Sequence, residues 1–162
     1  MKEYSYTTEL DEIDIAILRE LQADGSLSNV ELARRVNLSP PATHTRVKQL
    51  EQLGYIRSYA ALLDREKMGY DMLCFITVSL QIHQPEVVAS FREAITHMPE
   101  VLECHHVTGD YDYILKVATR NRSDLQRFLM DKLTPLENIA HIHTRLVLSE
   151  IKSTTALPLN GP

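Results

Sequence analysis

Between Leu10 and Gln22, Leu10, Ile13, Ile17, Leu18 and Leu21 recur three and four apart with charged residues between them. That period is the mark of a helix with one buried stripe. Asp11 and Glu12 fall in its first turn, at the positive end of the helix dipole. Gly25, after Ala23 and Asp24, is free to take a positive φ and end it. A second helix opens at Ser28, where Glu31 three residues on has the spacing of a capping box; it buries Val30, Leu32, Ala33 and Val36. Asn37-Leu38-Ser39 forms a tight turn, with Leu38 filling the space between the helices. Ser39 then offers a hydroxyl cap and Pro40 the residue best suited to a first helical position. The third helix buries Thr43, Val47, Leu50 and Leu53 before Gly54 stops it. That leaves Pro41, Ala42, His44, Thr45 and Lys48 facing outward, with Arg46 and Gln49 on the flanks. A short helix, a tight turn and a longer helix are the parts of a helix-turn-helix, whose second helix enters the major groove of DNA.

The period changes further along the chain. Residues 55–64 (YIRSYAALLD) alternate loosely and read as a short β wing, with Arg57 and Ser58 near a flanking phosphate. Residues 65–71 read as a linker. Leu73 to His83 alternates as a strand, with Cys74, Ile76, Val78, Leu80 and Ile82 on one face and Phe75, Thr77, Ser79, Gln81 and His83 on the other. A helix from Pro85 buries Val88, Phe91 and Ile95. A strand over 101–108, a turn over 108–112 and a strand over 113–118 follow. Ser123 is read as the cap of a helix burying Leu125, Phe128, Leu129 and Leu133, and 139–151 as the last strand. Strand, helix, strand, strand, helix, strand is the ferredoxin-like split βαβ order. The fold class is therefore α+β: a winged helix-turn-helix domain over 1–64, a linker over 65–71, a ferredoxin-like domain over 72–152 and a tail over 153–162 able to reach a neighbour. The sheet face opposite the helices mixes Phe75, Thr77, Ser79, Gln81, Ile114, Lys116, Arg145 and Val147. A half-polar face of this kind suits a second copy of itself and predicts a two-fold dimer.

Composition sets bounds on function. The 162 residues are 44% apolar and 24% charged, enough for a real core in one large or two small domains. No apolar run approaches the roughly 18 residues of a membrane helix, and MKEYSYTTELDE lacks the basic-then-apolar pattern of a leader, so a cytoplasmic protein is expected. Cys74 and Cys104 lack redox or zinc spacing and are read as small core residues. The net charge of −5 argues against nucleic acid, but its distribution does not. Acidic residues dominate up to Glu31, whereas Arg34, Arg35, Arg46, Lys48 and Arg57 then face only Glu51 among carboxylates, with His44 able to add to them. Phosphate contacts need such a basic face, although charge alone fits an ordinary solvated surface equally well. The candidate DNA-contacting residues are Ser39, Pro41, Ala42, Thr43, His44, Thr45, Arg46, Lys48 and Arg57.

Other chemistries find less support. His141 and His143 share a strand face and could ligate a metal with a third donor, but no ligand-spaced Cys or carboxylate accompanies them. They are read as interface histidines, with no metal site. There is no phosphate loop, nucleophile elbow or paired catalytic carboxylate, so neither an enzyme nor a cofactor is expected.

Four stretches resemble the Lrp/AsnC family of transcription regulators: LDEIDIAILRELQADGSLSNVELARRVNLSP, RVKQLEQLGYIRSYAALLD, MPEVLECHHVTGDYDYILKV and EIKSTTALPL. They occur in order and cover nearly the whole chain. The resemblance implies a regulator of double-stranded DNA that dimerises through its sheet faces and assembles further to four dimers. It also implies a small effector, an amino acid, bound near the hairpin turn at His106, Thr108, Gly109, Asp110, Tyr111 and Asp112. A turn rich in backbone donors can hold a carboxylate, and Asp110 or Asp112 can pair with an α-amino group. Without the resemblance, Gly109-Asp110 is simply a tight turn. The alternative reading of the chain is a ligand-sensing or scaffold protein whose helix-turn-helix serves protein interaction.

Overall fold

The structure is a computed structural model and describes residues 10–159. The first nine residues, read above for the absence of a leader, and the last three of the expected tail lie outside the described residues. The chain divides into two compact units, one reaching to Leu62 and taking up the chain again from Ser153, the other Leu63–Lys152.

In the first unit α1 spans Glu12–Ala23. Its start is a complete capping box: the Asp11 carboxylate accepts from the Asp14 N–H at 2.8 Å, and the Asp14 carboxylate accepts from the Asp11 N–H at 3.3 Å. An aspartate pair thus plays the part usually given to Ser and Glu. Gly25 does not take the left-handed conformation expected of it. Asp24, in an extended conformation, caps the helix end, and its carboxylate accepts from both the Ser26 N–H and hydroxyl.

α2 spans Asn29–Arg35 and α3 spans Pro40–Gln52. The Ser28 hydroxyl accepts from the Glu31 N–H at 3.2 Å, but the Glu31 side chain turns forward to Arg34 and Arg35, so only half of the expected box forms. Ser39 caps α3 by accepting from the Ala42 N–H at 3.4 Å. Asn37 sits at φ 54° in the turn between the helices and Gly54 at φ 81° after α3, where a side chain with Cβ is disfavoured and Asn or Gly is tolerated. Ile17, Leu18, Leu32 and Leu50 form the core, with Leu10, Ile13, Val36, Val47 and Ile56 against it. Val30 and Leu53, expected inside, are exposed.

The β wing is not formed: residues 55–64 carry no strand. Tyr55 and Ile56 both donate to the Leu50 carbonyl, and the Tyr59 hydroxyl donates to Glu51. The chain's final described residues return to α1 of the same copy instead of reaching out. The Leu157 N–H donates to the Gln22 side chain at 2.7 Å, and Arg19 donates to the Leu159 carbonyl at 2.6 Å. Leu159 joins the core beneath.

The second unit is built from β1 (Met72–Leu80), α4 (Pro85–Thr96), β2 (Val101–His106), β3 (Tyr113–Thr119), α5 (Arg122–Arg127) and β4 (Ile139–Leu146). α5 runs on into a π-helical turn, Phe128–Leu133. The cap of α5 is Asn121, accepting from the Asp124 N–H at 2.9 Å, not Ser123. The sheet is antiparallel in the order β2-β3-β1-β4, the expected split βαβ arrangement. Its covered face buries Cys74, Ile76, Val78, Leu80, Tyr113, Leu115 and Val117 against Phe91, Ile95, Phe128 and Leu133. Cys74 is thus a core residue, whereas Cys104 lies exposed on edge strand β2. β4 stops at Leu146, short of the expected 151, and Leu148 and Ile151 are 93% and 91% exposed.

The other face is half-polar, as the alternation predicts. Register places Glu103, Lys116, Phe75 and Arg145 in one row across it, and His105, Ile114, Thr77 and His143 in the next. Lys116 pairs with Glu103 at 3.1 Å, and Arg145 donates to the Thr77 hydroxyl at 3.2 Å. Thr77 is buried in consequence.

Candidate functional site

α3 is held by its Ser39–Pro40 start, and its inward stripe fixes which side chains look outward. Pro41, Ala42, His44, Thr45, Lys48 and Gln49 are exposed along one side, with Arg57 exposed beyond the helix. Lys48 pairs with Glu51 at 2.7 Å while its side chain stays 56% exposed. Thr45 donates its hydroxyl to the Pro41 carbonyl at 3.0 Å. Arg57 forms no ion pair among the described residues.

Three of the candidate contacts prove to have structural duties. Thr43 is 0% exposed, and its hydroxyl donates to the Ser39 carbonyl. It belongs to the core stripe and cannot reach a base. The Ser39 oxygen is engaged as the helix cap. Arg46 donates to Asp11 at 2.7 Å and Asp14 at 2.8 Å, tying α3 to the capping box that starts α1. Those hydrogen bonds, from Asp11 and then Asp14, raise the Arg46 pKa.

The same pairing governs the rest of the basic segment. Arg34 pairs with Glu31, and Arg35 pairs with both Glu31 and Glu20. Hydrogen bonds from Arg34 and then Arg35 lower the Glu31 carboxyl to about 2. Each of the five cations except Arg57 therefore has a carboxylate partner, four of those carboxylates coming from the acidic stretch that precedes Arg34. A cation already paired at the surface is still available to a phosphate, because exposed pairs are worth little. The positive potential of the segment is nevertheless much lower than its sequence suggests.

The hairpin between β2 and β3 is the second candidate. Gly109 sits at φ 119° with nothing near the position a Cβ would occupy, so its requirement is conformational. Thr108, Gly109 and Asp110 are exposed, and Tyr111 and Asp112 half-buried. The two carboxylates differ in kind. One Asp112 oxygen accepts from the Leu80 N–H at 2.7 Å and the other faces His83 Nε2 at 2.8 Å. The Asp112 backbone also binds both neighbours, accepting from the Val107 N–H and donating to the Val78 carbonyl. Burial pushes the Asp112 pKa up, but the Leu80 N–H and then His83 outweigh it and hold the carboxyl below its usual range. Asp112 anchors the hairpin to the end of β1, whereas Asp110 has no ion pair among the described residues.

Beside the turn, the His106 ring stacks on Tyr113 at 4.9 Å, and Arg92 donates to the Tyr113 hydroxyl at 3.3 Å. His83 and Arg92 were not legible as site residues. Each reaches the hairpin from another element, across 29 and 21 residues of chain, and no local pattern marks such a contact. The His141 and His143 rings lie 6.4 Å apart on the open sheet face. Among the described residues no group of three or more His, Cys, Asp or Glu side chains is placed to hold a metal ion, and no helix is long and apolar enough to cross a membrane.

Comparison with known proteins agrees with both units. A family model described as winged helix-turn-helix DNA-binding matches residues 10–57, and one described as the Lrp/AsnC ligand binding domain matches residues 73–157. The leucine-responsive regulatory proteins of Klebsiella pneumoniae and Escherichia coli are each 39% identical over 149 residues, 92% of this chain and 91% of theirs. A transcriptional regulator of Neisseria meningitidis, solved as a complex with L-methionine, superposes with a TM-score of 0.90 at 40% identity, covering 93% of this chain and 97% of that one. An AsnC family transcriptional regulator of Agrobacterium tumefaciens superposes with a TM-score of 0.87 at 33% identity, covering 92% and 97%.

Proposed function

The chain belongs to the Lrp/AsnC family of transcription regulators, and on that premise we propose which of its residues read DNA and which receive the effector. It is a DNA-binding regulator and not an enzyme. In our reading the outward side of α3, through Pro41, Ala42, His44, Thr45 and Lys48, lies in the major groove, with Arg57 on a flanking phosphate. Arg46 sets the angle at which α3 is presented, through Asp11 and Asp14. Phosphate contacts fix position and base contacts specify, so Lys48 and Arg57 supply affinity, and the small Ala42 and Thr45 allow close approach.

The effector in this reading is a free amino acid received at the hairpin; the Neisseria relative was solved as a complex with L-methionine. The observation that supports the assignment is the division of labour between two carboxylates. Asp112 is committed to Leu80 and His83, while Asp110 stands exposed beside a glycine turn with no ion pair among the described residues. Asp110 therefore takes the α-ammonium and the backbone N–H groups of the turn take the carboxylate. The half-polar sheet face carries the two-fold dimer, four such dimers form the larger assembly, and the protein acts in the cytoplasm where its DNA is.

A thermal-shift screen against the twenty amino acids tests the effector assignment, because a ligand that binds only the folded state raises the melting temperature. L-Methionine or another apolar amino acid should raise it further in the wild type than in Asp110→Ala. An equal shift in both proteins would overturn the role given to Asp110.

A further inference from the structure

At the end of β3 remote from the hairpin, a cavity of about 440 Å³ is lined by residues of four segments: Tyr70 before β1, Pro99 and Glu100 before β2, Ala118 to Arg120 at the end of β3, and the α5 segment with its π-helical turn. Its size lies within the range of small-molecule sites, ≈ 300–1,000 Å³. Three departures from regular structure meet there. The helix widens into a π-helical turn over Phe128–Leu133, which contributes Phe128, Asp131 and Lys132 to the wall. The β2–β3 register slips between Val101 and Glu103, directly after Glu100. Glu100 Oε2 is buried, and no group among the described residues donates to it. π-helical turns and β-bulges both re-aim side chains and are common beside functional sites.

The charges in the cavity separate into those already paired and those left over. Asp124 pairs with Arg127, and Lys132 with the outer oxygen of Glu100. What remains is one cation and two acceptors. Arg120 lies 5.5 Å over the Tyr70 ring and forms no ion pair among the described residues. The acceptors are Glu100 Oε2 and Asp131, which has no partner among the described residues. Stacking leaves the edge of a guanidinium free to hold a carboxylate bidentately. A buried acceptor without a donor is costly, and an ammonium with its three N–H groups answers it best. Between these poles the walls are apolar: Tyr70, Pro99, Ala118 and Phe128.

We propose that this cavity is a second ligand site, separate from the hairpin, for a small zwitterion. Its carboxylate binds Arg120, its ammonium binds Glu100 Oε2 and Asp131, and a short hydrocarbon portion lies against Phe128 and Tyr70. The inference stands on the cavity alone and does not depend on the hairpin reading. A purely anionic ligand would meet Asp131 and the unpaired oxygen of Glu100, and a purely cationic one would meet Arg120.

The Ala118 methyl group reports on the site directly, since it lines the cavity and no alanine lies between His106 and Asp112. In full-length protein carrying ¹³C-methyl alanine, L-norleucine should shift the Ala118 resonance saturably. Acetate and methylamine, each carrying only one of the two charges, should leave it in place at the same concentration. Arg120→Gln and Glu100→Gln should each weaken the response at least tenfold. Asp110→Ala should leave it unchanged, so that failure of the hairpin assignment is distinguishable from failure here. A retained thermal transition of the second unit in each variant verifies its fold. An Ala118 resonance unmoved by L-norleucine, an equal response to acetate, or an undiminished response in folded Arg120→Gln would each overturn the proposal.

Discussion

Replacing Asp112 separates its role as an anchor from any role as a ligand group. In Asp112→Ala the Leu80 N–H loses a charged acceptor at 2.7 Å and His83 loses its partner at 2.8 Å. The carboxylate is mostly shielded, with 21% of its side chain exposed, so solvent replaces those contacts only in part. Leaving a partly buried N–H without an acceptor costs ~1–3 kcal/mol, and we take about 2 kcal/mol for this site. For a domain of 60–100 residues each kcal/mol lowers the melting temperature by roughly 4–8 °C, so the transition of the sheet unit should fall by roughly 10 °C. Asp112→Asn keeps a neutral oxygen for Leu80 and loses only the charge and the His83 contact, so its fall should be about half as large.

The pH dependence of that difference supplies a second check. The Asp112 pKa is lowered from 3.8 in the fold, so its stabilisation is fully present above that value and disappears as pH falls through the folded pKa. The gap between wild type and Asp112→Asn should therefore close in acid. Differential scanning calorimetry of the full chain at pH 7 and in acid measures both quantities. Folded Asp112→Asn should still respond to the amino acid that wild type responds to. An unshifted melting temperature in Asp112→Ala, together with loss of the effector response, would refute the anchor reading and make Asp112 a ligand group.

Three further outcomes follow from the same structure. Arg46→Ala removes the link from α3 to Asp11 and Asp14. The helix-turn-helix unit should lose on the order of 1 kcal/mol and DNA affinity should fall with it, whereas an unchanged melting temperature would show that the pairing contributes nothing. Gly109→Ala meets open space but forces a φ of 119° on a residue with Cβ; a cost of about 1–3 kcal/mol is expected, visible as a lower denaturation midpoint, and a neutral result would mean that the turn readily rearranges. Glu31, lowered from 4.5 to about 2 by Arg34 and Arg35, contributes stability above pH 4.5 that disappears on acidification toward pH 2. Glu31→Gln should flatten that part of the acid-denaturation profile, which circular dichroism of the first unit follows.

How much of this was legible in the sequence depends on how far apart the interacting residues lie. The caps at Ser28 and Ser39, the stop at Gly54 and the strand order rest on local spacing and were read directly. The Asp11–Asp14 box escaped because two aspartates replace the usual pair, although the three-residue spacing was present. Asn121, two residues before Ser123, was the better cap because its own side chain reaches the Asp124 N–H. The π-helical turn has no sequence mark, and the expected wing has the residues of a strand but no partner strand among the described residues. Thr43 was placed both in the buried stripe and among the DNA contacts; its spacing with Val47 and Leu50 decided correctly for the stripe. The neutralised charge of the basic segment was hidden because Arg46 meets its partners 32 and 35 residues away, and a local count of charges cannot include them. At the hairpin, the motif identified the turn, but only the contacts to Leu80 and His83 distinguish Asp112 from Asp110.

The most direct test of DNA reading by α3 is the salt dependence of affinity for duplex DNA, measured by fluorescence anisotropy from low to moderate salt. The logarithm of the binding constant should fall linearly with the logarithm of salt concentration, since each phosphate neutralised releases counterions. The slope should become shallower by about 1 in Lys48→Ala, and by about 1 again when Arg57→Ala is added. A slope that is flat in the wild type, or identical in the double variant, would contradict the placing of α3 and Arg57 on DNA.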